Sequence, residues 1–417
     1  MAFLMMRTTN FKTGTTALPL RSAGERRAST TFKIRWHFPS VLEEITRMTK
    51  ARRNTLWFAC LALLALPPSC GGGSGSSGQT PPPQTPNYSA DITATANWTV
   101  SSSSSLPDGA ILDNSTEIEP YFGNLAAIGL TKNAMYYPQV QAWMQWYVNH
   151  LNSSDVWGLS CTVYDYSVSG TTETSTNDAD STDSYAATFA SLAWAYWQTG
   201  DANAQAYIKT LQPQLECIAN VMLQTQQSNG LTWAKPDYQT QYLMDNSEVY
   251  KGLTDLAGLF QVAYNDTTDS AVYTTAATNV SNGIQTYLWD SAHNDYLTSV
   301  GAPTTNWQTW YPDSTAQLYP IVNGVISPTS TNAMQLYSTF NTNWPNWTSA
   351  NNPDSFPWAV ISGVAALMGD TTRVNSYITA IQTKYVNGTP AFQSPWYCAE
   401  SGWFIRVNNY MLGGSPL

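Results

Sequence analysis

Asn177-Asp178-Ala179-Asp180-Ser181-Thr182-Asp183-Ser184-Tyr185 places three acids within six residues, and Tyr242-Leu243-Met244-Asp245-Asn246-Ser247-Glu248-Val249-Tyr250 sets Asp245 and Glu248 three residues apart. On a helix, an i, i+3 pair shares one face. Carboxyls so close raise one another's pKa, which lets one stay protonated beside an ionised partner at neutral pH. That is the equipment of general acid–base catalysis, in which one carboxyl gives a proton to a leaving oxygen and another activates water.

Acids recur where apolar helices begin: Glu117 and Glu119, then Asp178, Asp180 and Asp183, then Asp245 and Glu248, and further on Asp313, Asp354 and Glu400. Carboxylates at helix N-termini ordinarily satisfy orphan N–H groups and complement the helix dipole. Asp313 and Asp354, each followed by Ser and an apolar run, read as caps, as does Glu117. The two clusters above hold more acids than capping needs.

The elements that must position these acids are legible from periodicity. Segments such as SYAATFASLAWAYW are apolar nearly all round, the pattern of a helix enclosed by others. The segments that follow them keep a polar face, with apolar residues at helical spacing, as in Ala206, Ile208, Leu211, Leu215 and Ile218. Five such pairs and a final helix, SPWYCAESGWFIRVNNYML, give eleven helices. Inner helix then outer helix, repeated, makes an all-α toroid, with Leu159–Asp165 and Asp295–Val300 as short β segments in its loops.

Turns inside a pair are short, whereas connections between pairs are long: Asn152 to Asp180, Ser228 to Leu243, Asp290 to Pro312 and Asn346 to Asp354. The long loops therefore gather on one rim with the N-termini of the inner helices, and loops of that length usually carry function. Trp157, Trp233, Trp307, Trp310, Trp358, Trp396 and Trp403 lie in these loops or first turns, where an exposed indole would stack on the C–H face of a sugar. Tyr185 and Tyr250 stand beside the acidic clusters. Trp143, Trp146, Trp194 and Trp197, inside helices, read as core.

Of the 417 residues, 43% are hydrophobic and 13% aromatic, but only 11% are charged. Such a chain can bury a large core and is no disordered acidic polymer. The net charge of −10 joins two unlike parts. Residues 1–69 carry 11 of the 18 Lys and Arg with three acids, and residues 70–417 carry 7 bases against 25 acids. A domain at −18 does not bind nucleic acid by neutralising phosphates.

PDGAI with EIEPYFGNLAA at the first inner helix, DSTDSYAATF at the second, YLMDNSEVYKGL at the third and CAESGWF at the last resemble the six-hairpin glycosidase superfamily, the (α/α)6 toroids, over roughly residues 106–412. The resemblance implies a carbohydrate-binding cleft across the rim, with one carboxylic acid protonating the leaving oxygen and a second carboxylate activating water. Carried onto this sequence, it gives Asp183 and Glu248 as the best pair, with Asp180, Asp245 and Glu400 in reserve. It points to no particular substrate. A full toroid has twelve helices against the eleven counted, so either an irregular segment fills the gap or the ring is open at one side.

Lys132, Lys209, Lys235, Lys251, Arg373, Lys384 and Arg406 are the only bases after Cys70. Uronate and sulfated glycans need cationic clamps, so a neutral or cationic glycan fits better, and a neutral one is the expected substrate. His37 precedes the export signal, His150 falls on an outer helix and His293 in a surface loop, which disfavours a polysaccharide lyase of the same fold without removing Tyr185, Tyr250 and Arg406 from such a role. No metal spacing, phosphate loop or cofactor motif is present. The alternative from another class is a glycan-binding surface lipoprotein that performs no chemistry.

From Met48 the chain reads as an export signal: a basic stretch (Lys50, Arg52, Arg53), an apolar run from Leu56 to Leu66, and Cys70. The run is too short to span a bilayer. Cys70, followed by GGGSGSSG, resembles a lipoprotein processing site, although Pro67 stands where that pattern has Leu. The expected organisation is an extension at 1–47 that is not native, translation starting at Met48; a signal at 48–70; a Gly/Ser/Pro linker at 71–105; and a catalytic domain at 106–417. The product would be an exported monomer held to the membrane by its lipid alone. Cys161, Cys217 and Cys398 could supply one disulfide in an oxidising compartment, with the pairing open.

Overall fold

The structure, a computed structural model, describes residues 86–103, 106–113 and 116–414. The expectations for the extension, the signal, Cys70 and the linker up to residue 85 lie outside these residues.

Six inner helices form a closed ring. They are α2 (Pro120–Leu130), α4 (Thr182–Trp197), α7 (Leu243–Leu259), α9 (Tyr319–Val322), α11 (Ala359–Leu367) and α13 (Cys398–Met411). Each packs on the next, and α13 returns to α2. The outer positions are filled by α3 (Tyr137–Asn149), α5 (Ala202–Thr210) with α6 (Gln212–Thr225), α8 (Thr267–Gly283), α10 (Thr331–Asn343), α12 (Thr371–Ile381) and α1 (Tyr88–Trp98). Among the described residues, thirteen helices thus occupy twelve positions, because Leu211 separates α5 from α6 just before Pro213. Pro is tolerated in the first turn of a new helix but not within one.

Two expectations are corrected here. The folded unit begins near Tyr88, not Leu106, and the ring is complete. The missing twelfth helix is α1, which packs on α13, so the two ends of the folded unit form the sixth hairpin. Its neighbours hold it by side-chain bonds: Tyr88 donates to Asn375 Oδ1 at 2.5 Å, Gln382 to Asp91 Oδ2 at 2.7 Å, and Tyr136 to Asn97 Oδ1 at 2.8 Å.

Small residues set the closeness of the inner ring. A Cβ on Gly129 would meet the Gly402 Cα at 2.6 Å, and one on Gly252 would meet the Ala187 backbone at 2.6 Å. Both distances are shorter than atoms can approach, so α2 packs on α13, and α7 on α4, only because these side chains are absent. The inner helices bury nearly all faces, as their all-round apolarity requires.

The loop strands also differ from expectation. Glu117–Ile118 (β1), Tyr166–Ser169 (β2) and Thr172–Ser175 (β3) form a three-stranded antiparallel sheet. Residues 159–165 precede it without strand structure. Asp295–Tyr296 (β5) is a strand, pairing with Trp289–Asp290 (β4). Cys161 and Cys217 form a disulfide that ties the loop before β2 to α6, and Cys398 is free and buried.

Candidate active site

The first turns of the inner helices deliver acids to one end of the ring. Ile118 pairs with Tyr166 across β1 and β2, which brings Glu119, at the start of α2, close to Asp165. Tyr185, in the first turn of α4, donates its hydroxyl to Asp165 Oδ1 at 2.7 Å. Asp180 is exposed on the loop before α4. Asp245 is partly exposed, and Glu248, one turn later on α7, accepts the Tyr121 hydroxyl at 2.5 Å.

Asp183 is fully buried. Its Oδ1 accepts the Ser181 hydroxyl at 2.5 Å and the Ser184 N–H at 2.8 Å, and its Oδ2 accepts the Thr232 hydroxyl at 2.5 Å. A carboxyl so enclosed does not reach a sugar. Ser181 Oγ also lies 3.1 Å from Asp245 Oδ2, so one hydroxyl links Asp183 to Asp245.

Glu400 proves to be a cap. Its two oxygens accept the N–H groups of Trp358 and Ala359 at 3.1 and 2.7 Å, which satisfies the N-terminus of α11 from a neighbouring helix. The residues expected to cap do something else. Asp313 accepts the Asn306 N–H, Asp354 accepts the Ser355 N–H and the Trp358 indole, and Glu117 lies in β1.

Burial and crowding act together on these carboxyls. Burial, then the charges of Asp113, Asp165, Asp180 and Glu117, pushes Glu119 up to about 9. Burial raises Asp165 to about 7 and Glu248 to about 8. Asp245 is held well above the ordinary carboxylate range by burial and then by Asp183, Glu248 and Asp180. Asp183 rises only to about 6, because its hydrogen bonds oppose the effect of burial.

The aromatic expectations divide. Trp310, Trp396 and Trp403 are buried, the second packed between Tyr385, Phe392 and Phe404, and so offer no open platform. Trp307 is pinned by donation to Asp295, and Tyr250 packs against the core. Trp157, Trp233 and Trp358 remain half-buried on the loops. Trp358 adopts a left-handed backbone (φ 60°) and lies against Tyr311, which is 55% exposed.

Tyrosines supply what a search for tryptophans overlooked. Tyr121 stacks on Tyr185 at 6.2 Å between ring centroids, and Tyr311 and Tyr319 both feel the charge of Glu248. Tyr121 and Tyr319 are each set in the first turn of an inner helix, next to Pro120 and Pro320, and that pairing was the available signal. Lys235 is bound to Asp178 and the Ala179 carbonyl, and Lys384 to the Ala350 carbonyl. Asp113, Glu117 and Glu119 can bring one oxygen each within 4.8 Å of one another, a grouping able to hold a cation.

No family model and no curated protein matches this sequence. Solved structures do match in shape. A glycosidase variant in complex with glucose aligns with a TM-score of 0.57 at 9% identity, covering 78% of this chain and 97% of its own. A rhamnosidase from Klebsiella oxytoca with rhamnose bound gives 0.55 at 12%, covering 80% and 66%. A GH76 α-mannanase from Bacteroides thetaiotaomicron gives 0.53 at 13%, covering 78% and 97%. The chain has the fold of the six-hairpin glycosidases. In this six-hairpin ring the acids and tyrosines described above gather at the N-terminal ends of the inner helices.

Proposed function

We propose that the protein is a glycoside hydrolase acting on a neutral poly- or oligosaccharide. The observation that carries this reading is the linked pair Asp183 and Asp245. Asp183 is buried and fully bonded, and its charge helps keep the partly exposed Asp245 protonated. Asp245 would give its proton to the glycosidic oxygen, and Asp180, exposed on the facing loop, would take a proton from the attacking water. Tyr311 and Trp358 would stack on a sugar ring. The engagement of Lys235 and Lys384 supports an uncharged substrate, since neither is arranged as a clamp for a carboxylate or sulfate. The disulfide supports export, and with Cys70 it is consistent with a lipid-anchored protein of the cell envelope.

The test is a panel of neutral polysaccharides with reducing-end detection, run on the wild-type chain and on Asp245→Asn. Cleavage by the first and not by the second supports the reading. A second reading, glycan binding without cleavage, draws on the withdrawal of Asp183 and Glu400 from the cleft. Saturable binding with no new reducing ends would establish it. A lyase is less well supported, because His150 stacks on Trp146 and His293 pairs with Asp290, both engaged away from the acids.

A further inference from the structure

The loop that leads into α7 carries two tyrosines outside the acid network. Lys235-Pro236-Asp237-Tyr238 is a tight hairpin, in which the Tyr238 N–H donates to the Lys235 carbonyl at 3.0 Å and the Lys235 N–H to the Tyr238 carbonyl at 3.3 Å. Pro236 supplies the fixed φ that the second position of such a turn favours. Lys235 Nζ fastens the hairpin to the loop before α4, through Asp178 Oδ1 at 2.7 Å and the Ala179 carbonyl at 2.8 Å. Four residues on, Tyr242 opens α7, and its backbone bridges Ser299. The two phenol hydroxyls meet at 2.8 Å, and the ring centroids lie 6.2 Å apart.

Packing does not explain this pair. Tyr238 is 48% exposed and Tyr242 half-buried, so the Tyr238 ring forgoes much of the stabilisation that burying an aromatic brings. Their position offers a reason. Tyr242 lies within electrostatic reach of Tyr311 and of Asp245, three residues further on in the first turn of α7. Tyr311 and Trp358 belong to the segments that lead into α9 and α11, whereas the Tyr238 hairpin is tied to the loop that leads into α4. The ring order α4, α7, α9, α11 therefore sets one aromatic pair on each side of Asp245.

Two tyrosines fixed by backbone bonds and by each other lose little freedom on binding and present an amphipathic face. Their mutual hydrogen bond uses one hydroxyl proton, which leaves the other proton and free lone pairs for the hydroxyls of a sugar. We propose that Tyr238 and Tyr242 form a sugar-binding subsite on the α4 side of Asp245, and that the substrate is a neutral glycan chain with sugar units on both sides of the bond that is cut. The second half of this inference rests on the hydrolase reading, and the subsite itself does not. A single sugar carrying a small leaving group would leave the subsite empty.

The experiment uses the whole chain with neutral gluco-, manno-, galacto- and xylo-oligosaccharides from disaccharide to hexasaccharide, following cleavage by new reducing ends and binding by calorimetry on Asp245→Asn. In wild type, kcat/KM should rise with chain length. Tyr238→Ala should lower kcat/KM on the hexasaccharide roughly three- to tenfold, as loss of one aromatic stacking contact does, through KM and with a penalty that shrinks as the chain shortens. Tyr238→Phe, which keeps the ring, should retain most of the wild-type value. A penalty equal at every length would mark a purely structural role and overturns the subsite, as does no penalty at any length. If wild type cleaves none of the oligosaccharides, the hydrolase reading fails and binding decides the subsite. Weaker hexasaccharide binding when Tyr238→Ala is added to Asp245→Asn then sustains it, and equal binding or none overturns it.

Discussion

Asp183 and Asp245 are joined through one hydroxyl, with Ser181 Oγ 2.5 Å from Asp183 Oδ1 and 3.1 Å from Asp245 Oδ2. A hydroxyl has one proton to give and two lone pairs with which to accept. The shorter contact assigns that proton to Asp183, and the Ser184 hydroxyl already donates to Ser181 Oγ at 2.8 Å. The contact to Asp245 is then satisfied when Asp245 is the protonated partner. This agrees with the directions of the two pKa values: Asp183 at about 6 and Asp245 well above the ordinary range.

Asp245→Asn and Asp183→Asn should therefore fail differently. Loss of the proton donor should lower kcat/KM by roughly 10²–10⁴-fold at all pH values. Asp183→Asn removes the charge that raises Asp245, so the alkaline limb of the pH–rate profile should move to lower pH, with activity persisting under acidic conditions. Identical flat profiles for the two variants would show that Asp183 does not work through Asp245.

Stability should fall as pH rises. Glu248 and Glu119 are raised to about 8 and about 9 from ordinary values near 4.5. The native state thus binds more protons than the unfolded chain between those limits, and the linkage relation gives a negative slope of unfolding free energy against pH. The stabilising effect is complete below about pH 4.5 and is lost as pH climbs through about 8 to 9. Thermal melts from pH 4.5 to 9 should show Tm declining, and Glu248→Gln should flatten the decline. A Tm that rises over this range contradicts the assignment.

Glu400→Ala should be a folding lesion. It leaves the Trp358 and Ala359 N–H groups without their acceptor at the start of α11, at a cost of about 1–3 kcal/mol. The urea midpoint should drop accordingly. Glu400→Gln, which keeps one acceptor oxygen, should lose less stability and retain most activity below its melting range. Full stability together with lost activity would return Glu400 to the chemistry.

Cys161→Ser should cost about 2–4 kcal/mol, because the disulfide to Cys217 closes a loop with a sequence separation of 56. Reduction of the wild type should produce the same change in denaturant midpoint. The bond anchors the loop that leads through Asp165 to Asp180, so KM should rise in the variant more than kcat falls.

The inner helices were legible because their all-round apolarity has no other explanation, and the acidic clusters because three acids in six residues exceed what a cap requires. Position along the sequence did not distinguish a carboxyl facing a cleft from one buried behind it. Asp183 and Asp180 are three residues apart, yet one is enclosed by Ser181, Ser184 and Thr232 and the other is exposed. Glu400 looked like a residue of its own helix and instead caps α11, a contact set by packing between helices. Trp396 and Trp403 sit at the start of a helix, as a sugar platform would, but that helix is enclosed on all sides.

The helix α1 was hidden because its buried face is largely polar. Asp91, Ile92, Thr95 and Ala96 point inward, and Thr99 follows, so no apolar stripe marks it. Two of the polar members are satisfied by their neighbours: Thr99 Oγ1 donates to the Thr95 carbonyl at 3.0 Å, and Asp91 accepts from Gln382. A chain starting at Leu106, where the linker composition gives way to a helical pattern, would lose the outer partner of α13 and expose part of its apolar surface. Comparison of chains starting at residue 79 and at residue 106 should show a lower Tm and concentration-dependent association only in the shorter one. Equal melting of the two would mean that the five-and-a-half hairpins stand without their twelfth helix.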